Sequence, residues 1–393
     1  MKSFFAANRR DVVLIVVLTV LSIALLYLPT GFENRVAGQS VRCKARVLDV
    51  DNSEIKQLGM VKAGDQPVRL RLLDGPFAGR ELEGNNPLMG QMDRDKIFKP
   101  GDTALVVLSL DAHGNIRFVN PQDHYRLDLE LVLLGLFGLA LLCFGGWTGL
   151  KALLSFVFSA LMLWKVLVPG LLKGYPPVIT AFGTVAVLTA VVIFLVAGLN
   201  RKGVVAFLGA MLGVMTSAML AIYYTTAFHL HGAVLPFAET LLYSGFGHLN
   251  LTEIFVAAVF LAASGAVMDL AMDVAASMEE VVSKRPDIGV WDVVGSGLRV
   301  GRAVVGTMTT TLLLAYSGGY ITLLMAFMAQ GVPLTNLFNL VYVAGEVLKT
   351  LVGSFGLVMV APFTALVGGF ILTYNRFDEL SASIMGADPL EPV

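Results

Sequence analysis

Long apolar runs separated by short polar connections dominate the chain. Eight of these runs approach or exceed the length of about 20 helical residues that crosses a bilayer core of about 30 Å. They are 12–28, 128–149, 152–172, 177–199, 203–228, 251–276, 303–329 and 351–374. Ser317-Gly318-Gly319 interrupts the seventh run and predicts a broken helix there. The pattern predicts a membrane α-helical bundle of about eight transmembrane helices.

A region of different character separates the first two runs. Residues 41–47 and 68–72 alternate apolar with basic side chains, as half-buried strands do, and turn signals occur at 74–76, 100–102 and 113–115. This predicts a small antiparallel β domain, for which a compact barrel is a suitable architecture. We expect an N-terminal anchor helix (1–30), a β-rich domain (31–126), a multi-pass domain (127–376) and a tail (377–393). No small-x-small cleavage site follows the first run, which favours a retained anchor over a signal peptide.

Composition narrows the class of protein. Of the 393 residues, 56% are hydrophobic and 15% are charged, whereas soluble domains carry about 25% charged residues. This excludes a soluble enzyme, and the net charge of −1 argues against a nucleic-acid binder. Cys43 and Cys143 lie in regions of different character and suggest no disulfide framework.

Basic residues predict the orientation. With the N-terminus inside, most Lys and Arg of the short connections fall on the cytoplasmic side, and the loop 229–253 has none. We therefore expect cytoplasmic termini and an extracytoplasmic β domain. Two amphipathic stretches are predicted: 279–299 on the cytoplasmic side, and 336–350 on the outer side leading into the last span.

Acidic residues inside an apolar run are the most informative feature. Asp269 and Asp273 are four residues apart and share a helix face, which Glu280 joins about two turns later. A carboxylate near the hydrocarbon centre costs roughly 2.5 to 3.5 kcal/mol, so such groups normally face a polar cavity or bind a cation. Simple hydration near the cytoplasm is the alternative, chiefly for Asp273. Carboxylates suit a proton, Na⁺ or a hard divalent cation.

Two polar features of later spans could complement these acids. Arg302 opens a span with Thr307, Thr309, Thr310 and Thr311, whose hydroxyls either pack helices together or line a pathway.

Glu346 and Lys349 lie three residues apart at the mouth of the last span. They either pair with each other or take part in ion coupling.

A weaker cluster lies in the loop 229–253. His229, His231 and His248, with Glu239 and Glu253, are candidate ligands of a transition metal, although their spacing matches no known signature. Ordinary interfacial histidines are the alternative. We expect no cofactor other than a bound cation.

Several motifs of catalysis are missing from the sequence. It has no nucleotide-binding P-loop, no H-E-x-x-H helix and no nucleophile elbow. Intramembrane aspartyl proteases place their two acids on different helices, whereas Asp269 and Asp273 are on one. We therefore do not expect an enzyme.

Three strings carry a resemblance to a known family. SGAVMDLAMDVAASMEE (264–280), GRAVVGTMTTTLLLAYSGG (301–319) and GEVLKTLVGSFGLVMVAPFTAL (345–366) resemble the YibE/F family of bacterial membrane proteins over about 127–375. The resemblance implies a multi-pass inner-membrane protein and no settled activity. The order of elements is also similar to that of RND permeases and SecD/SecF, in which acids at the positions of Asp269 and Asp273 relay protons. Extra spans before the acid helix and a different outer domain depart from that pattern.

The leading hypothesis is an ion-coupled secondary permease. Asp269 would bind the proton or cation, Asp273 would assist, and Arg302 and Thr309 would modulate the site. The alternative is a non-transporting factor that assists protein export or membrane assembly through the β domain, and a structural scaffold is a third reading. The expected partners are membrane lipid, an unidentified small solute or ion, and a second copy or related subunit.

Overall fold

The computed structural model describes residues 9–32 and 40–385 of the chain. These residues belong to two compact units, 31–140 and the combination of 1–30 with 141–393. The helices are α1 (Arg9–Tyr27), α2 (Leu127–Met162), α3 (Val168–Leu172), α4 (Pro177–Ala197), α5 (Arg201–Ala227), α6 (Ala238–Tyr243), α7 (Leu251–Lys284), α8 (Val290–Ala329), α9 (Leu334–Asn339) and α10 (Val341–Met385).

Six helical stretches of the described chain are long and apolar enough to cross a membrane, and Val12–Tyr27 forms a shorter apolar helix. The six are Leu127–Leu172, Pro177–Ala197, Arg201–Ala227, Leu251–Lys284, Val290–Ala329 and Val341–Thr373. The chain is therefore a helical membrane protein with an additional β unit.

The β unit is one antiparallel sheet that curls into a half-barrel. Its strands are β1 (Ser40–Val50), β2 (Lys56–Leu58), β3 (Val61–Leu72), β4 (Glu81–Met89), β5 (Thr103–Leu110) and β6 (Ile116–His124). The sheet order is β2-β3-β1-β5-β6, and β4 pairs with β3. A Cβ added at Gly84 of β4 would lie 2.9 Å from the carbonyl oxygen of Val119 in β6, so only glycine permits this approach.

The strand alternation predicted for this unit determines its core. Cys43, Ala45 and Val47 of β1 are buried and alternate with more exposed residues. Leu70 and Leu72 of β3 belong to the same core, and Leu72 pairs with Ala45 of β1. The sheet therefore buries one face, as its period of two requires.

Glycine sharply bends the first long helical stretch. Gly146 has φ 51° and ψ −120°, outside the helical region. A Cβ added at Gly149 would lie 1.9 Å from the carbonyl oxygen of Leu141. A straight helix would separate residues 141 and 149 by about 12 Å along its axis, so the chain turns back here. The predicted spans 128–149 and 152–172 both lie in Leu127–Leu172, joined through the π-helical turn Leu163–Leu167.

Two local predictions are wrong. The helix α8 continues through Ser317, Gly318 and Gly319 without a break. The stretch 279–299 is not a separate amphipathic helix, because its residues complete α7 and, after a turn at 285–289, begin α8. The stretch 336–350 is divided between α9 and the first turns of α10.

The helix α7 is the centre of the membrane bundle, because it packs against α4, α5, α8 and α10. Phe255, Phe260, Leu270 and Met278 of α7 are fully buried in these contacts. Membrane helices associate through close packing, since lipid tails are as apolar as the side chains.

Small residues bring α5 and α10 together. A Cβ at Gly209 would lie 2.1 Å from the Thr364 hydroxyl oxygen, and one at Gly356 would lie 1.9 Å from the Ser217 hydroxyl oxygen. The glycines of these two helices therefore serve packing.

Candidate functional site

One face of α7 is left uncovered by the other helices that the structure describes. The residues at exposed positions between Leu251 and Met278 recur every three or four positions, and the stripe continues at Glu280. We name this stripe of exposed positions the acid stripe; it consists of Ala262, Gly265, Asp269, Asp273, Ala276 and Glu280. No large hydrophobic side chain of α7 is exposed. The open face of the central helix therefore carries only small and acidic residues.

The two aspartates lie toward the Lys284 end of the apolar part of α7. The helix begins after Asn250, whose side-chain oxygen accepts a hydrogen bond from the backbone N–H of Glu253 at 3.1 Å. Measured from Ile254 at 1.5 Å per residue, Asp269 is about 22 Å and Asp273 about 28 Å along the axis. If a hydrocarbon core of about 30 Å begins at Ile254, Asp269 falls inside it and Asp273 at its boundary.

Neither aspartate has a partner of opposite charge within the described chain. Asp269 and Asp273 interact electrostatically with each other, which is repulsive when both are ionised. Glu280 differs, because its carboxylate pairs with the Lys284 ammonium at 2.7 Å. The two aspartates are therefore the unpaired members of the acid stripe.

Arg302 lies at the same depth as Asp273. A Cβ at Gly301 of α8 would lie 3.9 Å from Val274 Cγ2. Eleven residues further along α8, Leu312 lies beside Ala263 of α7, because both side chains contact Gly353 of α10. A Cβ added at Gly353 would lie 3.3 Å from the Leu312 side chain and 3.2 Å from the Ala263 side chain. This antiparallel register places Arg302 level with Asp273. The guanidinium is nevertheless exposed on another face and forms no ion pair with the described residues.

The threonine hydroxyls of α8 are bonded to their own helix. Thr309 donates to the carbonyl oxygens of Val305 at 2.9 Å and Gly306 at 3.1 Å. Thr307, Thr310 and Thr311 bond in the same way to carbonyl oxygens three or four residues earlier. The hydroxyl groups therefore already donate their hydrogen bonds within α8, and only their oxygen lone pairs remain to bind a ligand. In the α7–α8 register, Thr309 lies about one turn from the level of Asp269.

Glu346 and Lys349 form a separate pair. Their charged groups are 2.6 Å apart, and the Lys349 ammonium lies 5.7 Å from the centre of the Phe255 ring. Phe255 precedes Asp269 by 14 residues, which is about 21 Å along α7. Glu346 therefore does not belong to the site of Asp269 and Asp273.

Tyr316 is a buried polar group that the sequence analysis missed. Its hydroxyl has no hydrogen-bond partner among the described residues and interacts electrostatically with Glu346. It packs against Gly353, where an added Cβ would lie 3.3 Å from the hydroxyl oxygen. Its spacing of four residues from the buried Leu312 was the available sequence signal.

The three histidines are not gathered into one cluster in the described part of the chain. No group of three or more His, Cys, Asp or Glu side chains there is placed to hold a metal ion. The imidazole Nε2 of His248 lies 3.3 Å from the Leu172 carbonyl oxygen. His229 follows the end of α5 with φ 51°, and His231 is exposed. Closeness in sequence did not bring these side chains together.

Comparison with known proteins places the membrane unit in a family. Residues 133–374 match the family described as YibE/F-like protein, which covers more than half of the chain. No curated protein and no solved structure matches the chain. The similarity to RND permeases and SecD/SecF therefore remains an analogy in the order of elements. The match over α7, α8 and α10 includes the acid stripe, and the chain belongs to the YibE/F-like family of membrane proteins.

Proposed function

We propose that this protein is an ion-coupled secondary permease in which Asp269 and Asp273 bind and release a proton or a metal cation. The observation that carries the proposal is the presence of two unpaired carboxylates on the open face of the central membrane helix. An ionised carboxylate in hydrocarbon costs roughly 2.5 to 3.5 kcal/mol. A bound proton or cation neutralises the carboxylate and removes that cost. Ion binding to Asp269 and Asp273 would therefore change whether α7 is stable in a lipid or in an aqueous environment.

The remaining candidate residues divide by their partners. Glu280 and Glu346 already pair with Lys284 and Lys349, so we assign them structural roles. Arg302 has no such partner among the residues that the structure describes and lies level with Asp273, where its positive charge would favour release of a bound cation.

The proposed orientation has both termini in the cytoplasm and the β unit outside an inner membrane. Lys202 at the start of α5 pairs with Glu279 near the end of α7 at 2.8 Å. This pair places the basic start of α5 beside Lys284 and Arg285, so these basic residues belong to one membrane side. The positive-inside rule assigns that side to the cytoplasm.

Reconstituted protein tests the ion-coupled role. Liposomes containing the purified chain and a proton- or cation-sensitive dye receive a potassium diffusion potential, with H⁺, Na⁺ and divalent cations supplied in turn. We expect ion entry above that of empty liposomes. We expect the Asp269→Asn, Asp273→Asn double variant to lose about tenfold or more of this rate, because tenfold corresponds to only about 1.4 kcal/mol of lost ion binding.

Glu280→Gln is the matched control, because it removes the same charge from the same face at a residue that is paired within the chain. We expect this variant to retain the wild-type rate. An unchanged rate in the double variant, or wild-type entry equal to that of empty liposomes for every ion, would contradict the proposal. Size-exclusion profiles establish that each variant is folded.

A specific surface of the β unit supports a second candidate, a factor that assists export or assembly of other proteins. Leu58, Met60, Met89 and Met92 are exposed, Met60 at 82%. The pairings of β2 and β4 with the start of β3 bring most of these side chains to one end of the sheet. Exposed apolar surface marks interaction sites, and flexible methionines accommodate varied partners.

Crosslinking separates the second candidate from the first. A photoreactive residue at position 60 should capture an unfolded polypeptide added to the purified protein, whereas the same residue at exposed Phe118 should not. Equal capture at both positions, or capture at neither, would contradict an assembly role.

A further inference from the structure

Two open faces of the membrane unit carry opposite charges at one depth. The first is the acid stripe of α7. The second lies on α8 and consists of exposed residues, which we name the Arg302 face: Arg302, Ala303, Gly306, Thr307 and Thr310. Asp269 and Asp273 on the first face and Arg302 on the second are all without a counterion among the described residues.

The acid stripe is shaped for a helix rather than for lipid. Apart from its acids, it contains only Ala262, Gly265 and Ala276, and a Cβ added at Gly265 would meet nothing within 4 Å. The same is true of Gly306 on the Arg302 face. Small residues let helix backbones approach closely, and they are enriched at contacts between membrane helices.

Another helix of the same chain shows what a lipid-facing surface looks like. In α2 the exposed positions are occupied by large apolar side chains such as Leu129, Leu133 and Leu136. The contrast in side-chain size distinguishes the two kinds of open surface. The acid stripe, and the Arg302 face as far as Thr310, resemble buried helix contacts, whereas α8 exposes Leu313 and Leu314 one turn beyond Thr310.

The shared depth of the two faces indicates which helix would fit against the acid stripe. A twofold axis along the membrane normal moves a residue sideways without changing its depth. Since Arg302 is level with Asp273 within one chain, Arg302 of a partner subunit is level with Asp273 as well. By the same register, Thr310 of a partner subunit is level with Gly265.

We propose that a second copy of this chain covers the acid stripe, with the partner's Arg302 paired to Asp273 and Asp269. A twofold contact is self-complementary, so each copy supplies one acidic and one basic face, and one Arg302 neutralises one of the two negative charges on the stripe it meets. Lys202 and Lys284 are not alternatives within the chain, because they already pair with Glu279 and Glu280. The inference stands whether or not the protein moves ions, since it uses only shape, charge and depth.

Crosslinking between differently tagged copies tests the contact in the membrane. Cys143 is exposed and is first replaced by serine, whereas buried Cys43 is retained. One tagged chain then carries Gly265→Cys and the other Thr310→Cys. Mild oxidation of membranes containing both should give a disulfide-linked pair bearing both tags, several-fold more abundant than with a control.

Met219→Cys in place of Thr310→Cys is the matched control, because Met219 is also exposed on a membrane helix but lies on α5. Charge reversal provides a second measurement that does not use cysteine. Arg302→Asp or Asp273→Arg alone should lower the fraction of two-chain complexes measured by native mass spectrometry from lipid nanodiscs. The two changes together should restore it.

Two results would overturn the inference. One is a wild-type protein that occurs only as a single chain in nanodiscs, which would leave lipid headgroups or a cation as the neighbour of the stripe. The other is equal crosslinking at positions 310 and 219, which would indicate random collision. Failure of ion movement in liposomes would affect neither measurement.

Discussion

Polar side chains differ in their hydrogen-bond partners between the β unit and the open face of α7. In the β unit, Gln66 is fully buried and uses every bonding position of its amide. Its oxygen accepts from Asn86 Nδ2 and the Phe98 N–H, both at 3.0 Å. Its nitrogen donates to Asn52 Oδ1 at 2.8 Å and the Phe98 carbonyl oxygen at 2.9 Å. On α7, Asp269 and Asp273 have no such partners in the described chain.

The difference distinguishes two reasons for keeping a polar group in an apolar setting. A group that stabilises a fold is surrounded by partners from its own chain, because an unpaired buried group is costly. Gln66 meets that description, and the aspartates of the acid stripe do not. Since the described chain supplies no partner for them, we propose that an ion or a second copy does.

The largest expected effect is loss of the Gln66 network. Gln66→Leu leaves the backbone N–H and carbonyl oxygen of Phe98 buried without partners, each costing about 1 to 3 kcal/mol, whereas the Asn86 amide keeps its hydrogen bond to the Lys96 carbonyl oxygen. We expect the free energy of unfolding of the β unit to fall by about 3 kcal/mol. Pulsed labelling of the buried Cys43 thiol across a urea series measures it in the Cys143→Ser background.

Gln57→Leu is the control for this measurement, because Gln57 is exposed in β2. It should change the free energy of unfolding by less than about 0.5 kcal/mol. Equal effects of the two substitutions would show that the buried amide does not stabilise the sheet.

Substitutions at two glycines allow a comparison of the covered face of α10 with the open face of α7. Gly356→Leu forces a side chain into Ser217 and the Gly213 carbonyl oxygen, which an added Cβ would approach to 1.9 and 2.9 Å. Overpacking of this kind costs about 1 to 3 kcal/mol. Gly265→Leu meets open space and should leave the folded single chain intact.

Tryptophan fluorescence measures this comparison, because all three tryptophans lie outside the β unit. A lower thermal midpoint for Gly356→Leu and an unchanged one for Gly265→Leu in detergent-solubilised monomers is the expected outcome. A comparable loss in both variants would mean that the face at Gly265 is covered within the chain.

Removing the charges of the acid stripe should not destabilise the single chain. Like charges four residues apart on a helix are unfavourable by about 0.2 to 0.5 kcal/mol. We expect Asp269→Asn or Asp273→Asn to raise the free energy of unfolding by at least that amount, because an ionised carboxylate in hydrocarbon is itself costly. Glu279→Gln should lower it by up to about 1 kcal/mol, because it breaks the pair with Lys202. A loss of stability in the aspartate variants would reveal a partner inside the chain.

The smallest expected effect concerns Asp111 in the turn between β5 and β6. The backbone N–H groups of Asn115 and His113, each 2.8 Å from the carboxylate, hold its pKa below the ordinary value of 3.8. A carboxyl with a lowered pKa in the folded state stabilises above its unfolded pKa, and this contribution disappears as pH falls through the folded pKa.

Amide hydrogen exchange of the β5–β6 turn measures this contribution. Asp111→Asn should exchange faster than wild type near neutral pH, and the difference should vanish as pH falls through the lowered pKa of Asp111. A difference that persists in acid would assign the effect to the shape of the side chain rather than to its charge.

Periodicity predicted the elements better than their junctions. The long apolar runs became helices, and the alternating residues around Cys43 and Leu70 became paired strands, because each pattern specifies which face is buried. The predicted break at Ser317 is absent because a membrane helix must satisfy its backbone hydrogen bonds internally, so Gly318 and Gly319 remain helical. The bend in the first long helical stretch depends on the positive φ of Gly146. Gly318 and Gly319 of α8 do not have a positive φ.

The candidate site was predictable along one helix but not between helices. A spacing of four residues places Asp269 and Asp273 on one face, as helix geometry requires. The depth match of Arg302 and the separation of Glu346 depend on how α8 and α10 pack on α7. Local sequence does not contain that register, and closeness in sequence likewise did not bring His229, His231 and His248 into one cluster among the described residues.

Infrared spectroscopy of the carboxylates tests most directly whether an external positive group meets Asp269 and Asp273. The wild-type protein is reconstituted in lipid, and difference spectra are recorded as H⁺ or cation concentration changes. We expect a carboxyl band that responds to one of these ions and disappears in the Asp269→Asn, Asp273→Asn double variant, while Glu280→Gln retains it. Identical difference spectra for wild type and double variant would contradict ion binding at the acid stripe.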